Sequence, residues 1–233
     1  MRNRLAKGED ESGEGNPAKT LYIWAGDQAR QAPDFLAVVD FEQDSDNYGK
    51  VLKTVPLPPP GNVGNEPHHC HLSADKQILA CGGLLSLLRG QKGIFFFDVS
   101  EAREPKFLFA TSAPQSSITD DFYPLPGGGF LVTQMGSATG SAPGRVAEFD
   151  ANLHLVKEWP ANPPQDGFNP HGISARSELN LMVTSDLIDP ASTLNASPGG
   201  PVLRGAIRVW DLARREIIRT VRIPKAWEPW MCD

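Results

Sequence analysis

Residues 94–98 read Ile-Phe-Phe-Phe-Asp, and a short β-rich run ending in aspartate recurs three more times along the chain. Its companions are FLAVVD at 35–40, RVAEFD at 145–150 and AIRVWD at 206–211, so that Asp40, Asp98, Asp150 and Asp211 stand 58, 52 and 61 residues apart. After each run comes a second strand-like segment ending near a proline: KVLKTVPLP, PKFLFATSAP, LHLVKEWP and EIIRTVRIP. Before the last three comes a strand–turn–strand unit: HHCHLSADKQILACGG, DDFYPLPGGGFLVTQMG and NPHGISARSELNLMVTSD. Each full unit supplies four short antiparallel strands, and such units every 50 to 60 residues or so are the pattern of β-propeller blades. A β-sandwich also uses short strands and tight turns, but the periodic order of the strands favours the propeller.

The count predicts an all-β chain of about three and a half blades, because the first unit lacks its inner strands. A propeller closes its ring to satisfy its edge strands, so an arc of this size is expected to be a fragment, a truncated reading frame or half of a split protein. A second chain that completes the ring is then an expected partner. Residues 1–19, MRNRLAKGEDESGEGNPAK, are charged and almost free of apolar side chains, which predicts a disordered tail. The propeller domain is expected over residues 20–233.

Composition narrows the function. The 233 residues include 22 Gly and 21 Pro with no collagen-like period, as a turn-rich β protein requires. A net charge of −6 and the absence of a basic stripe argue against nucleic acid as a partner. Arg208, Arg214, Arg215, Arg219 and Arg222 are interleaved with acids and read as a solvated face. No apolar run is long enough to span a bilayer, and the first 19 residues lack the apolar core of a signal peptide. Three cysteines, Cys70, Cys81 and Cys232, form no Cys-x-x-Cys pair. They fit a reducing compartment better than a disulfide framework, so a cytoplasmic location is expected.

Several segments, taken in order, carry a resemblance. Ala32-Pro33-Asp34-Phe35-Leu36-Ala37-Val38-Val39-Asp40 is followed by Tyr48-Gly49-Lys50-Val51, Pro56-Leu57-Pro58 and Glu66-Pro67-His68-His69. This progression resembles the opening of the selenium-binding protein / methanethiol oxidase family, and the later GAIRVWDLARREIIRT resembles a further stretch of it. The resemblance implies a seven-bladed propeller with histidine metal ligands. In enzymatic members it implies copper-dependent oxidation of methanethiol to formaldehyde, hydrogen sulfide and hydrogen peroxide, and in some members selenium binding through a cysteine. Asp120 and Tyr123 fall where the family carries a His-x-x-His pair, whereas His171 stands where the resemblance supplies no ligand. The site is therefore expected to be rearranged.

Three of the five histidines lie within four positions, His68, His69 and His71, at the expected start of a blade's inner strand. Strict alternation along a strand puts His69 and His71 on one face, and His68 and Cys70 on the other. His171 begins the inner strand of a later blade, and ligands can converge on a propeller axis from separate blades. His69, His71 and His171 are the first candidate ligands, with His68 and Asp120 next. Imidazoles suit copper, iron or zinc, copper first on the resemblance, while aspartate shifts the preference toward harder metals. Asp121 is a candidate general base, and Tyr123 a candidate hydrogen-bond donor to a bound species. Cys70 is a candidate soft ligand, reactive thiol or selenium site, and Cys81 reads as packing. His154 lies in an outer strand and reads as structural.

These residues predict a metal-dependent oxidoreductase that acts with O2 on a small thiol or a similar small organic substrate. A metal-dependent hydrolase or lyase on the same scaffold would also use an Asp/His site, and a non-enzymatic interaction propeller would need no inward imidazoles. No Gly-x-Ser-x-Gly marks a nucleophilic serine.

Overall fold

The computed structural model describes residues 19–194 and 200–223. The expected tail, apart from Lys19, and Cys232 lie outside the described residues. Fifteen strands form four antiparallel sheets among the described residues. The first sheet holds β1 (Thr20–Ala25), β2 (Phe35–Asp40) and β3 (Val51–Pro56). The second holds β4 (Pro67–Leu72), β5 (Ile78–Gly83), β6 (Ile94–Asp98) and β7 (Lys106–Thr111). The third runs from β8 (Ser116–Pro124) through β9 (Phe130–Ser137) and β10 (Arg145–Phe149) to β11 (Leu155–Trp159). The fourth comprises β12 (Pro170–Arg176), β13 (Leu181–Ile188), β14 (Leu203–Asp211) and β15 (Glu216–Arg222). Each four-stranded sheet is a meander in sequence order, and β4, β8 and β12 stand side by side as the innermost strands. This is an arc of about three and a half propeller blades, the first sheet lacking an innermost strand.

The run at 94–98 shows why the blades stack. In a strand covered on both faces, successive side chains enter different cores, so the sequence is continuously apolar rather than alternating. Phe95 and Phe97 pack toward the first sheet with Leu36, Leu57 and Val99. Ile94 and Phe96 pack toward the third with Phe122, Phe130, Val132 and Phe149. The next interface, between the third and fourth sheets, repeats the scheme with Leu131, Val146, Phe168, Met182 and Trp210. Strand β13 alternates instead, with Leu181, Val183 and Leu187 exposed, and β1 exposes Leu21 and Ile23. The arc is therefore open at both ends among the described residues.

The recurring aspartate is a turn residue. Asp40, Asp98 and Asp150 each accept the backbone N–H two positions on, from Glu42, Ser100 and Asn152, and Asp211 accepts that of Arg214. These bonds hold the Asp40 and Asp211 carboxyls below the usual carboxylate range, and at Asp98 the Ser100 hydroxyl does so first, with the backbone bond behind it. In the β8–β9 turn, Gly129 has φ +84°, and a Cβ there would lie 2.1 Å from the Phe149 carbonyl oxygen, so only glycine fits.

Two expectations about side chains are corrected here. Arg208 is not on a solvated face: it is 1% exposed, because β14 is a middle strand whose polar side chain is aimed into a closed network. Its guanidinium donates to Asp186, Asp166 and Thr220. Cys70 and Cys81 are not free thiols. They are a directly opposed cross-strand pair with Cα atoms 4.1 Å apart, and they form a disulfide.

Candidate metal centre

Each innermost strand carries the same irregularity. Pro67 pairs with Gly83 and Cys70 with Cys81, which leaves His68 and His69 opposite Gly82 alone. Thr119 pairs with Gln134 and Phe122 with Val132, which leaves Asp120 and Asp121 opposite Thr133. Pro170 pairs with Asp186 and Ile173 with Thr184, which leaves His171 and Gly172 opposite Ser185. Two residues facing one is a β-bulge, which breaks strict alternation and re-aims side chains. Every candidate that gathers at one point sits in these bulges.

The focus is Asp120, whose side chain is 1% exposed. His69 Nδ1 lies 3.0 Å from its Oδ1, while His171 Nε2 and His68 Nε2 lie 3.4 and 3.6 Å from its Oδ2. The His68 and His69 rings stack with centroids 4.4 Å apart, and His171 meets His69 edge-on at 6.0 Å. None of these contacts has hydrogen-bond geometry, so both carboxylate oxygens of Asp120 are buried without a donor among the described residues. Burial pushes the Asp120 carboxyl up, partly offset by His171, His68 and His69. Burial likewise pushes His68 down, against the pull of Asp120. A charged acceptor pair without donors, ringed by imidazoles whose neutral forms carry lone pairs, fits a cation. Donor atoms of His68, His69 and Asp120 lie within 4.8 Å of one another, with His171 beside them. The set is nitrogen and oxygen with no thiolate, which suits copper, iron or zinc.

The remaining candidates fall elsewhere. His71 is exposed, with Nδ1 2.8 Å from the Leu72 carbonyl oxygen, because the bulge makes His68 the companion of His69 in its place. Cys70 is bonded to Cys81 and offers no thiol or selenium-binding sulfur in this state. Asp121 accepts the backbone N–H groups of Phe122 and Ile173, which ties the third blade to the fourth. Tyr123 packs in the core between the third and fourth sheets. His154 is exposed beside Asp150 in the turn just before β11, not within the outer strand itself.

Thr133, buried in β9, was not among the candidates. Its hydroxyl accepts the Asp121 N–H at 2.8 Å and donates to the His171 carbonyl at 2.5 Å. Strand pairing puts Gly82, Thr133 and Ser185 opposite the three bulges, a correspondence that no sequence motif marks.

Comparison with known proteins agrees with this architecture. A model of the 56 kDa selenium-binding protein family matches residues 7–228. The chain belongs to that family. Among curated relatives, it is 28% identical to mouse selenium-binding protein 2 over 83% of the chain and 44% of that protein. It is 24% identical to the methanethiol oxidase of a Hyphomicrobium species, over 88% of the chain and 48% of that protein. A selenium-binding protein structure from Sulfolobus tokodaii superposes with a TM-score of 0.74 at 19% identity, over 91% of this chain and 50% of that one. The chain thus spans a little under half the length of these curated relatives. No helix among the described residues is long and apolar enough to cross a membrane.

Proposed function

We propose that the chain supplies the metal-binding part of an oxidoreductase of the methanethiol oxidase type, which oxidises a small thiol or a similarly small organic molecule with O2. One observation carries this reading: the Asp120 carboxylate of the third blade, buried without a donor among the described residues, lies among three imidazoles delivered by the blades on either side of it. Copper is the favoured ion, by analogy with the family's enzymatic members; iron and zinc suit the same donors.

A bound redox metal would supply a Lewis-acidic centre for the substrate sulfur and a path for electrons to O2. The chain's own residues supply the rest. Asp120 brings negative charge into a dry pocket, which lowers the cost of holding a cation there. His68, kept neutral by burial, offers a lone pair instead of a proton. Bulges on three adjacent strands hold the donors at fixed spacing, so little reorganisation accompanies binding. The imidazoles are 30–46% exposed on their open side, which is where further blades would close a tunnel and exclude water. Those blades come from the remainder of a longer chain or from a second chain, and the reaction takes place in the protein so completed.

The test is the metal content of the purified chain by mass spectrometry, beside a His68→Ala/His69→Ala variant. Near-stoichiometric copper or iron, lost in the variant, supports the reading and directs thiol assays for peroxide and sulfide release. A folded protein that takes up no metal after incubation with copper, iron and zinc salts overturns it.

A further inference from the structure

The three bulges are fixed in different ways. In the third blade, the Thr133 hydroxyl accepts the Asp121 N–H and donates to the His171 carbonyl, and the Asp121 carboxylate accepts the N–H groups of Phe122 and Ile173. In the fourth, the Ser185 hydroxyl accepts the Gly172 N–H at 3.2 Å. The second blade has neither device. The residue opposite its bulge is Gly82, and the position matching Asp121 is His69. A hydroxyl-bearing residue would be tight there, because a Cβ on Gly82 would lie 3.2 Å from the Thr119 carbonyl oxygen and 3.4 Å from that of Asp120. At the next rung the other blades carry Phe122 opposite Val132 and Ile173 opposite Thr184; this blade carries Cys70 opposite Cys81, joined covalently.

We propose that the Cys70–Cys81 disulfide is the positioning element of the His68–His69 pair, and that its reduction by a small thiol switches that half of the site. The proposal rests on the reading of the cluster as a metal centre. A cross-link directly after the bulge fixes the distance from β4 to β5 and so the aim of both imidazoles at Asp120. Cys81 is fully buried and Cys70 half-buried, so an incoming thiolate reaches the Cys70 sulfur. The S–S bond breaks, a mixed disulfide forms at Cys70, and Cys81 leaves as a thiolate that takes up a proton. A second thiol then displaces the first as a free disulfide and leaves Cys70 as a thiol. Two external thiols are oxidised and one protein disulfide is reduced.

The test uses the full chain. Thiol labelling under denaturing, non-reducing conditions should find one free thiol of the three cysteines, and three after reduction. Zinc affinity, read by competition with a chromogenic chelator, is then compared between wild type and a Cys70→Val/Cys81→Val variant. Zinc is chosen because it oxidises no thiol, and the valine pair because it leaves no sulfur to bind zinc itself. The variant should bind zinc about tenfold more weakly or worse, as loss of a ligand-orienting partner does, while keeping the wild-type circular dichroism spectrum. NMR spectra of the His68 and His69 rings, without metal, should shift on reduction of the wild type and return on reoxidation. Equal zinc affinity in wild type and variant overturns the proposal, as does finding three free thiols before reduction. If the wild type binds no zinc, the metal reading fails separately, and the ring spectra decide: unchanged on reduction, they overturn the positioning role, and reversibly shifted, they support it.

Discussion

Replacing Asp120 by asparagine should raise stability without metal and forfeit most of the stability that metal adds. Asparagine keeps the shape and removes the charge. In the wild type a carboxylate 1% exposed has no hydrogen-bond donor among the described residues, with ring nitrogens of His69, His171 and His68 at 3.0, 3.4 and 3.6 Å. One protonated imidazole at such a range would be worth about 5 kcal/mol at an effective dielectric constant of ~20. At pH 8, above the ordinary imidazole range, that cation is missing and the desolvation cost of the carboxylate stands nearly alone. An unsatisfied buried acceptor costs roughly 1–3 kcal/mol, so in chelator Asp120→Asn should raise the melting temperature by about 2–12 °C. With zinc the wild type should gain about 2.3 kcal/mol on the variant, which closes or reverses the gap. At a concentration about 100 times its dissociation constant, zinc stabilises the wild type by roughly 2.7 kcal/mol. A variant whose affinity falls about 100-fold, having lost the only anionic donor, keeps only some 0.4 kcal/mol of that. Thermal melts of both proteins at pH 8, in chelator and across a zinc titration, make the comparison. A variant destabilised in chelator that keeps the full zinc shift would refute the reasoning: Asp120 would then be the anion of an imidazolium cluster and not a ligand.

The other predictions concern the frame around the site. Burial pushes Asp186 up to about 6 against the pull of Arg208, so the folded state holds an extra proton between the unfolded carboxylate range and that value. This group's contribution to stability is therefore fully present below pH ~4 and lost as pH rises through about 6. In urea melts, wild type should gain roughly 2 kcal/mol over Asp186→Asn between pH 7 and pH 4, and a difference that stays flat with pH refutes this. Arg208→Leu leaves Asp186 buried without its main partner and should cost about 3–5 kcal/mol in the same assay at pH 7. Gly129→Ala forces a Cβ to 2.1 Å from the Phe149 carbonyl oxygen at φ +84°, so a loss of about 2 kcal/mol or more is expected in denaturant melts. Thr133→Val removes the hydroxyl between Asp121 and His171 and should cost roughly 1–2 kcal/mol, while Thr133→Ser should restore most of it.

The strands and their order were legible because the chain states them with both periodicity and punctuation. The run at 94–97 is apolar at every position, as a strand with a neighbour on each face must be, and the aspartate that closes each run recurs at a spacing that counts the blades. His68, His69, Asp120 and His171 were legible as candidates from residue type and from their places in the repeat. What the sequence did not show was which of them meet. Alternation assigned His71 to the site and separated His68 from His69, whereas the bulge between Pro67 and Cys70 reverses that choice. The disulfide was hidden for a related reason: it pairs residues eleven apart across a turn, a register fixed by strand pairing and not by any cysteine motif. Arg208 was misread because its partners, Asp186 and Asp166, lie 22 and 42 residues away, outside the run of interleaved charges.

If the cluster is the metal centre proposed above, the placement of the bulges separates binding from catalysis. All four donor side chains come from three consecutive innermost strands, β4, β8 and β12, and all lie within the described residues. Among the described residues no outer strand contributes a donor, so an arc of three adjacent blades holds this cluster. Turnover asks for more. The imidazoles face an open side, and a thiol at a redox metal needs that side closed against water and side reactions. Metal uptake by this chain alone, with thiol oxidation only when the ring is completed, is the behaviour that such a division of labour predicts. Uptake that required the completing blades would instead place further ligands on them, and would make the Asp120 cluster one wall of the site.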